Sequence, residues 1–281
     1  MQIAHETIAE QVRLALIEDV GSEDICSGDV TANLIDERQE SNAKVITRES
    51  GVLCGQSWFD ETFKQVNPDI EIQWQVEEGA SISEGQALCM ITGPTRSLLT
   101  AERTALNFLQ TLSSTASITK QYVDRLEGTG VQILDTRKTI PGLRLAQKYA
   151  VQCGGGMNHR IGLYDMILIK ENHVRSCGSI TAAMQKAQAV STGIEIEIEV
   201  ENLEELDDAL TAGAKRILLD NFSIDNLKQA VNINQQRAKL EVSGNVTLEN
   251  IRDYALTGID YISSGAITKN VRAIDLSMQI E

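Results

Sequence analysis

The chain has 281 residues, of which 42% are hydrophobic and 23% are charged, and its formal net charge is -15 at pH 7. This length and composition are typical of a globular protein with one large domain or two small ones, and they exclude a disordered or fibrous chain. The acidity argues against a general nucleic-acid or anionic-membrane binder, because both functions need a positively charged face.

Cysteine usage and hydropathy favour a cytoplasmic protein. The five cysteines are odd in number, and no two are closer than 24 residues. Neither a CxxC pair nor a disulfide framework is therefore expected, and we assign the cysteines no role. The first 21 residues lack a basic segment followed by an apolar one, so we expect no signal peptide. No window of 18 apolar residues predicts a membrane span.

The hydrophobic pattern of residues 3–125 changes several times along the chain. Apolar residues at helical spacing predict a helix over 3–17, and the Gly-, Ser- and Asp-rich stretch EDVGSEDICSGDVT predicts a loop. Short alternating runs cut by glycine over 42–95 predict antiparallel strands and hairpins. A long helix is predicted from about 96 to 125.

After Gly130, short apolar runs alternate with helical stretches, which predicts repeated βα units and a parallel sheet. Residues at or just before the ends of four successive runs, Glu199, Asp220, Ser243 and Gly265, are 21, 23 and 22 residues apart. This regularity favours a barrel, with an open doubly wound sheet as the alternative. Both architectures place the chemistry at the carboxyl ends of the strands. The six runs are VQILD, MILIK, IEIEIEV, RILLD, LEVSG and YISSG.

One predicted strand, GIEIEIEVEN, has isoleucines on one face and glutamates on the other. The simpler interpretation places most of these glutamates on a solvated surface. In a βα barrel, however, a carboxylate at the carboxyl end can reach the active site, which makes Glu199 a candidate.

Positive charge is concentrated in one segment of this acidic chain. Residues 131–175 hold seven Lys and Arg against three Asp and Glu, a net charge of +4, whereas the rest of the chain carries -19. Such a segment suggests a small polyanionic substrate, such as a phosphate or a dicarboxylate. We assign this role to cations that follow predicted strands: Arg137, Lys138 and Lys170. Three others are interpreted as solvated helix charges: Arg144, Lys148 and Arg175.

Glycine-rich segments lie beside the same predicted strand ends. The three glycines at 154–156 indicate a mobile segment that presents His159 and Arg160, with a plain flexible loop as the alternative. SGN at 243–245 and SSGAIT at 263–268 place glycine ahead of helical runs, where backbone N–H groups can hold a phosphate.

These motifs together resemble the quinolinate phosphoribosyltransferase family over essentially the whole chain. The most specific segments are DTRKTIPGLR, GGGMNHRIGLYD and IKENH, followed in order by IEVEN, ILLDN, EVSGNV and ISSGAIT. The resemblance implies an N-terminal α/β sandwich and a C-terminal open α/β barrel of the type II phosphoribosyltransferase kind. It places the sandwich and a connecting helix at 1–112, the barrel at 113–268 and a C-terminal helix at 269–281.

The resemblance also implies the activity. Members transfer the phosphoribosyl group of 5-phosphoribosyl-1-pyrophosphate to quinolinate with decarboxylation, using Mg²⁺, and work as homodimers. In this sequence the implied quinolinate and phosphate contacts are Arg137, Lys138, His159, Arg160 and Lys170, with Arg103 donated by the neighbouring subunit. The implied ribose and magnesium side, directly or through water, is Glu199 and Asp220. The implied 5-phosphate contacts are Ser243, Gly244, Asn245, Ser264 and Gly265.

One departure and two alternatives remain. Lys269-Asn270 stands where some members have His-Ser, which puts individual phosphate contacts in doubt. A paralogue on the same scaffold, such as a molybdenum-transport-associated protein or a nicotinate-using transferase, is the main alternative, although nicotinate has one carboxylate and needs fewer cations. A biotinyl or lipoyl carrier hairpin within 70–100 is disfavoured, because that segment has no Lys.

Overall fold

The computed structural model describes residues 1–191 and 193–281, and the side chains of Cys26 and Ser27 lie outside that description. The chain divides into two compact units. The first unit comprises 1–118, 140–155 and 270–281, and the second comprises 119–139 and 156–269. The predicted boundaries at 112/113 and 268/269 differ from this division mainly because 140–155 belongs to the first unit.

The first unit is built on an antiparallel sheet in the order β12-β1-β5-β3, with a two-stranded β2-β4 ribbon. The strands predicted within 42–95 are confirmed. The first helix begins two residues later and ends three residues later than predicted, and the long helix is one residue longer at each end. The helices of this unit are α1 (His5–Val20), α2 (Ile25–Gly28), α3 (Gln56–Val66), most of α4 (Thr95–Leu126) and α5 (Arg144–Cys153), with a 3-10 turn at Ala32–Leu34. Its strands are β1 (Glu40–Thr47), β2 (Gly51–Val52), β3 (Glu71–Trp74), β4 (Ser81–Ile82), β5 (Ala87–Pro94) and β12 (Leu276–Ile280).

Aromatic side chains of α3 fill the core of the first unit. Phe59 packs edge-on against Trp74, with ring centroids 5.2 Å apart, and its centroid lies 4.9 Å from that of Phe63. Ala146 and Ala150 of α5 belong to the same core. Lys148, between them, is fully buried. The prediction that it is a solvated helix charge is wrong, because α5 lies within this core.

The predicted C-terminal helix at 269–281 is wrong, since residues 276–280 form β12. This strand pairs antiparallel with β1, from Ala43 opposite Ile280 to Thr47 opposite Leu276. The apolar–polar alternation of LSMQI suits a strand, and pairing satisfies the N–H and C=O groups along one edge of β1.

The second unit contains the predicted parallel sheet, in the order β6-β11-β10-β9-β8-β7. Its order and its parallel pairing are consistent with an open barrel whose edge strands are β6 and β7. The strands are β6 (Gln132–Leu134), β7 (Met166–Ile169), β8 (Glu195–Val200), β9 (Arg216–Asp220), β10 (Lys239–Ser243) and β11 (Tyr261–Ser263). The helices are α6 (Glu171–Cys177), α7 (Ile180–Val190), α8 (Leu203–Thr211), α9 (Ile224–Asn234), α10 (Ile251–Ala255) and α11 (Ala266–Lys269).

Short polar segments start several of these helices just after the strands. Asn202 accepts a hydrogen bond from Glu205 N at 3.0 Å, and Ser223 accepts one from Asn226 N at 3.2 Å. Both are N-caps, which satisfy backbone donors that a helix leaves unpaired at its first turn. The two caps follow the ends of β8 and β9 by two and three residues, so α8 and α9 begin close to the strand ends that carry the candidate site.

Candidate active site

Strand register brings the predicted site residues of the second unit to one edge of the sheet. Ile169 lies opposite Ile198, so Lys170 and Glu199 follow side by side at the ends of neighbouring strands. Asp220 lies directly opposite Ser243 on the next pair. Residues that are up to 73 positions apart in sequence therefore form one continuous polar rim.

Lys170 and Glu199 form an ion pair on this rim. Lys170 Nζ lies 2.5 Å from Glu199 Oε2, and the side chains are 45% and 11% exposed. A lysine at the end of an apolar strand is costly without an anionic partner, and Glu199 supplies one within the protein. Since the ammonium group is half exposed, the pair contributes little to stability and the lysine can also face an incoming anion.

Asp220 is held by two donors at the neighbouring strand end. Its carboxylate accepts from Ser243 Oγ at 2.9 Å and from Asn221 Nδ2 at 2.8 Å. Gly244 follows with φ 101°, and a Cβ there would lie 2.1 Å from Asn221 Oδ1. Only glycine allows this approach without a rearrangement. Asn245 continues in the left-handed region with φ 54° and is exposed.

The loop after β11 packs against the chain that follows β6. Ser264 N donates to Leu134 O at 3.0 Å, and Ser264 Oγ accepts from Ala266 N at 3.3 Å. A Cβ on Gly265 would lie 2.8 Å from Lys138 Cδ, so this glycine allows the lysine stem to pass close by. Lys138 is an exposed residue, and the close packing of its stem against Gly265 restricts the positions that its ammonium group can take.

Two guanidinium groups lie near each other in this unit. Burial lowers the pKa of Arg160, and the positive charge of Arg137 lowers it further. The carboxylates of Glu197, Asp165 and Glu199 act in the opposite direction on the pKa of Arg160, and an anionic ligand that reaches both guanidinium groups would offset their repulsion. The arrangement favours binding of a ligand with more than one negative charge.

His159 is buried and engaged by protein groups at both ring nitrogens. Nδ1 accepts from Arg160 N at 2.7 Å, and Nε2 lies 2.8 Å from Glu197 Oε2. A neutral ring with its proton on Nε2 satisfies both contacts. Asp135 accepts from His159 N at 2.9 Å and fixes the backbone here. These contacts orient the segment that carries Arg160.

A buried charged cluster next to His159 was missed by the sequence analysis. Arg216 donates from Nε to Glu197 at 3.1 Å and from Nη2 to Glu241 at 2.7 Å, and both glutamates are fully buried. The predicted solvated position holds for Glu195, which is exposed, and is wrong for Glu197. The reason is that the glutamate face of β8 is covered in the middle of the strand. One signal was available: Glu197, Arg216 and Glu241 are charges within apolar runs of three successive strands.

Several carboxylates share the Arg216 guanidinium. Burial, together with the nearby charge of Glu197, raises the pKa of Glu241 to about 7. Burial likewise raises the pKa of Glu197. Glu241 Oε1 is buried without a hydrogen-bond partner, 3.6 Å from His159 Nε2. The oxygen and nitrogen ligands of this cluster could also hold a metal ion, but Arg216 already supplies a cation to both carboxylates.

Arg103 belongs to the first unit. It lies on α4 and is exposed, beside the partly buried Glu102. Burial raises the pKa of Glu102, whereas the positive charge of Arg103 opposes that rise. An exposed guanidinium on a long helix is available to contact another molecule.

Both parts of the chain match one protein family. Residues 29–113 match the quinolinate phosphoribosyl transferase N-terminal domain, and residues 115–279 match its C-terminal domain. A Bacillus subtilis protein named probable nicotinate-nucleotide pyrophosphorylase [carboxylating] is 39% identical over 92% of this chain and 90% of its own length. A Mycobacterium leprae protein named nicotinate-nucleotide pyrophosphorylase [carboxylating] is 42% identical over 84% of this chain and 85% of its own.

Solved structures agree with the sequence matches. The nicotinate-nucleotide pyrophosphorylase from Francisella tularensis superimposes with a TM-score of 0.95 at 45% identity, covering 100% of this chain and 98% of its own. The enzyme of the same name from Ehrlichia chaffeensis superimposes with a TM-score of 0.93 at 40% identity, and the match covers both chains fully.

Among the described residues, no helix combines the length and apolar character of a membrane span.

Proposed function

The chain belongs to the quinolinate phosphoribosyltransferase family, and from this premise we propose how its residues perform the reaction. The protein is a phosphoribosyltransferase that joins quinolinate to 5-phosphoribosyl-1-pyrophosphate and forms nicotinate mononucleotide, pyrophosphate and carbon dioxide in NAD biosynthesis. The match of both family domains along the chain carries this conclusion.

We assign the quinolinate carboxylates to the cations of the second unit. Quinolinate carries two adjacent carboxylates, and planar guanidinium groups bind carboxylates through paired N–H donors. The mutual repulsion of Arg137 and Arg160 supports a dianion between them. Lys138 and Lys170 face phosphate oxygens in this proposal, and His159 positions Arg160 through its backbone contact.

Glu199 and Asp220 are assigned to the ribose hydroxyls and to Mg²⁺. Magnesium prefers carboxylate oxygens and keeps several of its waters. Both carboxylates fit that preference, since they are partly exposed and lie at the ends of adjacent strands. When bound, the ion supplies positive charge that offsets the charge of the departing pyrophosphate.

The 5-phosphate is assigned to the two glycine-containing loops after β10 and β11. Backbone N–H groups in such loops form anion sites, and the last strands of βα barrels commonly carry them. The close approaches at Gly244 and Gly265 support this assignment, because a side chain at either position would displace Asn221 or Lys138. The proposed contacts are Ser243, Gly244, Asn245, Ser264 and Gly265.

The chemistry needs positioning and charge more than a covalent intermediate. The quinolinate ring nitrogen attacks ribosyl C1 while the C1–O bond to pyrophosphate breaks, and the nitrogen becomes a pyridinium. The bond from C2 to its carboxylate then breaks and carbon dioxide leaves; the adjacent pyridinium charge stabilises the electron pair left on C2, and a proton from solvent adds there to complete nicotinate mononucleotide. Lys138 and Lys170 stabilise the developing phosphate charge, and the arginines hold the ring in line with C1.

Arg160→Met tests the quinolinate assignment, with Arg175→Met as the matched control. Loss of a charge-assisted hydrogen bond costs about 1.5–3 kcal/mol, so KM for quinolinate should rise roughly 10- to 150-fold. The exposed Arg175 should leave KM unchanged. An unchanged KM in Arg160→Met would contradict the assignment of Arg160 to quinolinate. Efficient use of nicotinate by the unmodified enzyme would favour the nicotinate-using alternative.

We further propose a cytoplasmic homodimer in which each active site receives Arg103 from the partner subunit. The exposure of Arg103 supports this arrangement. Arg103→Ala and Lys170→Ala should each abolish turnover, and mixing them should restore about a quarter of wild-type activity if subunits exchange at random and one site per mixed dimer is intact. Confirmed exchange of subunits without recovery contradicts the shared site.

A further inference from the structure

Three ligand-bearing side chains meet in the first unit, among residues that the phosphoribosyl transfer does not use. Cys54 Sγ, a Glu78 carboxylate oxygen and Cys153 Sγ all lie within 4.8 Å of one another. Cys54 precedes α3, Glu78 lies between β3 and β4, and Cys153 is the last residue of α5. The chain thus brings together donors from three distant segments.

The backbone holds two of these donors in place. Ser113 Oγ accepts from Cys54 N at 2.9 Å and donates to Cys54 O at 3.1 Å. Gly55 N and Gln56 N donate to the two oxygens of the Glu78 carboxylate at 2.8 and 3.2 Å. Outer contacts of this kind fix the orientation of ligands at metal sites.

The electrostatics of the cluster suit a cation better than a reactive thiol. Burial raises the pKa of the Cys54 thiol, and a hydrogen bond from that thiol lowers the pKa of Cys153. The negative charge of Glu78 opposes thiolate formation at both sulfurs. A nucleophilic cysteine needs positive surroundings, whereas a bound divalent cation would stabilise both thiolates and the carboxylate together.

We propose that Cys54, Glu78 and Cys153 bind a thiophilic divalent cation of the zinc type. Two thiolates and one carboxylate are common zinc ligands, and a water would complete a tetrahedron. With Zn–S bonds of about 2.3 Å, tetrahedral geometry puts the sulfurs about 3.8 Å apart, which is compatible with ligand atoms that all lie within 4.8 Å of one another. The ion would tie the end of α5 to the start of α3. This site is independent of the proposed substrate contacts.

Cobalt substitution tests this site directly. Reduced full-length protein, stripped with a chelator, is titrated with Co²⁺ and then with Zn²⁺ in competition with a chromophoric chelator. We expect one equivalent of Co²⁺ to give thiolate charge-transfer absorption that one equivalent of Zn²⁺ removes. Cys153→Ser should weaken Zn²⁺ binding at least 100-fold and Glu78→Gln at least tenfold, whereas the control Cys177→Ser should match wild type.

Several results would overturn the proposal. These are no thiolate band in reduced wild-type protein, or an undiminished band and affinity in Cys153→Ser or Glu78→Gln. A band lost in Cys177→Ser would place the site elsewhere. A 2 Da mass loss between Cys54 and Cys153 on treatment with a mild two-electron oxidant, in protein that binds no Co²⁺ when reduced, would instead identify a redox pair. Circular dichroism establishes that each variant is folded, and Glu78→Gln alters a partly exposed side chain whose remaining carbonyl oxygen can still accept one of the two backbone hydrogen bonds.

Discussion

Arg216→Met removes the cation from the middle of the buried cluster while nearly preserving side-chain volume. Arg216 is 11% exposed, and its bonded partners Glu197 and Glu241 are fully buried. Breaking a buried ion pair by removing one partner costs about 3–5 kcal/mol, because the remaining charge is uncompensated. We therefore expect the free energy of unfolding at pH 8 to fall by about 3–5 kcal/mol.

The loss should depend on pH in a direction set by the glutamates. The pKa values of Glu197 and Glu241 are raised in the folded protein above their ordinary values. Each carboxyl group therefore stabilises the fold most when it is protonated, and its contribution to the free energy of unfolding is lost as pH rises. Removing Arg216 raises these pKa values further. At pH 5 Glu241 already carries its proton, and the cost of Arg216→Met should be clearly smaller than at pH 8.

Urea unfolding at pH 5 and pH 8 measures this difference. Arg13→Met is the matched control, since the side chain of Arg13 is 40% exposed and lies 2.9 Å from the exposed carboxylate of Glu10. A surface pair of this kind is worth about 0–1 kcal/mol at either pH. A loss below 1 kcal/mol in Arg216→Met at pH 8, or an equal loss at both pH values, would refute the assignment of Arg216 as the charge that holds the cluster.

Three further substitutions probe the same unit. Glu197→Gln removes the charge bonded to His159 and should weaken quinolinate binding by about 1 kcal/mol of binding free energy. Initial-rate assays should then show a KM for quinolinate raised about fivefold and an unchanged KM for 5-phosphoribosyl-1-pyrophosphate. Gly244→Ala places a Cβ against Asn221 at a positive φ and should raise KM for 5-phosphoribosyl-1-pyrophosphate at least tenfold, while an unchanged value would argue against the phosphate loop. Glu241→Gln should flatten the fall in urea stability between pH 4.5 and 7, and a profile like that of wild type would contradict the raised pKa of Glu241.

The sequence predicted the elements that depend on local pattern. Apolar runs marked all six parallel strands, and their spacing put Lys170, Glu199, Asp220 and Ser243 at successive strand ends. Because the strands are parallel and paired in this register, residues at the ends of adjacent strands are neighbours. The candidate rim could thus be predicted because period and topology alone determine it.

The burial of individual charged side chains and the pairing of the last strand depend on tertiary contacts, which local sequence patterns do not reveal. Glu195 and Glu197 lie on the same face of β8, yet one is exposed and the other fully buried. Lys148 has an ordinary helical setting in the sequence, yet it lies on the part of α5 that is buried, with Ala146 and Ala150 on either side in the sequence. The last strand was missed since its partner β1 lies more than 220 residues earlier. Tertiary packing decided each case.

The most direct test of the central claim is an assay of the purified protein with quinolinate, 5-phosphoribosyl-1-pyrophosphate and Mg²⁺, with nicotinate as the parallel acceptor. Nicotinate mononucleotide and carbon dioxide are followed together. We predict Mg²⁺-dependent formation of both products in equal amounts from quinolinate, and no nucleotide from nicotinate. Folded protein that makes no nucleotide from quinolinate, or makes it equally well from nicotinate, would contradict the account.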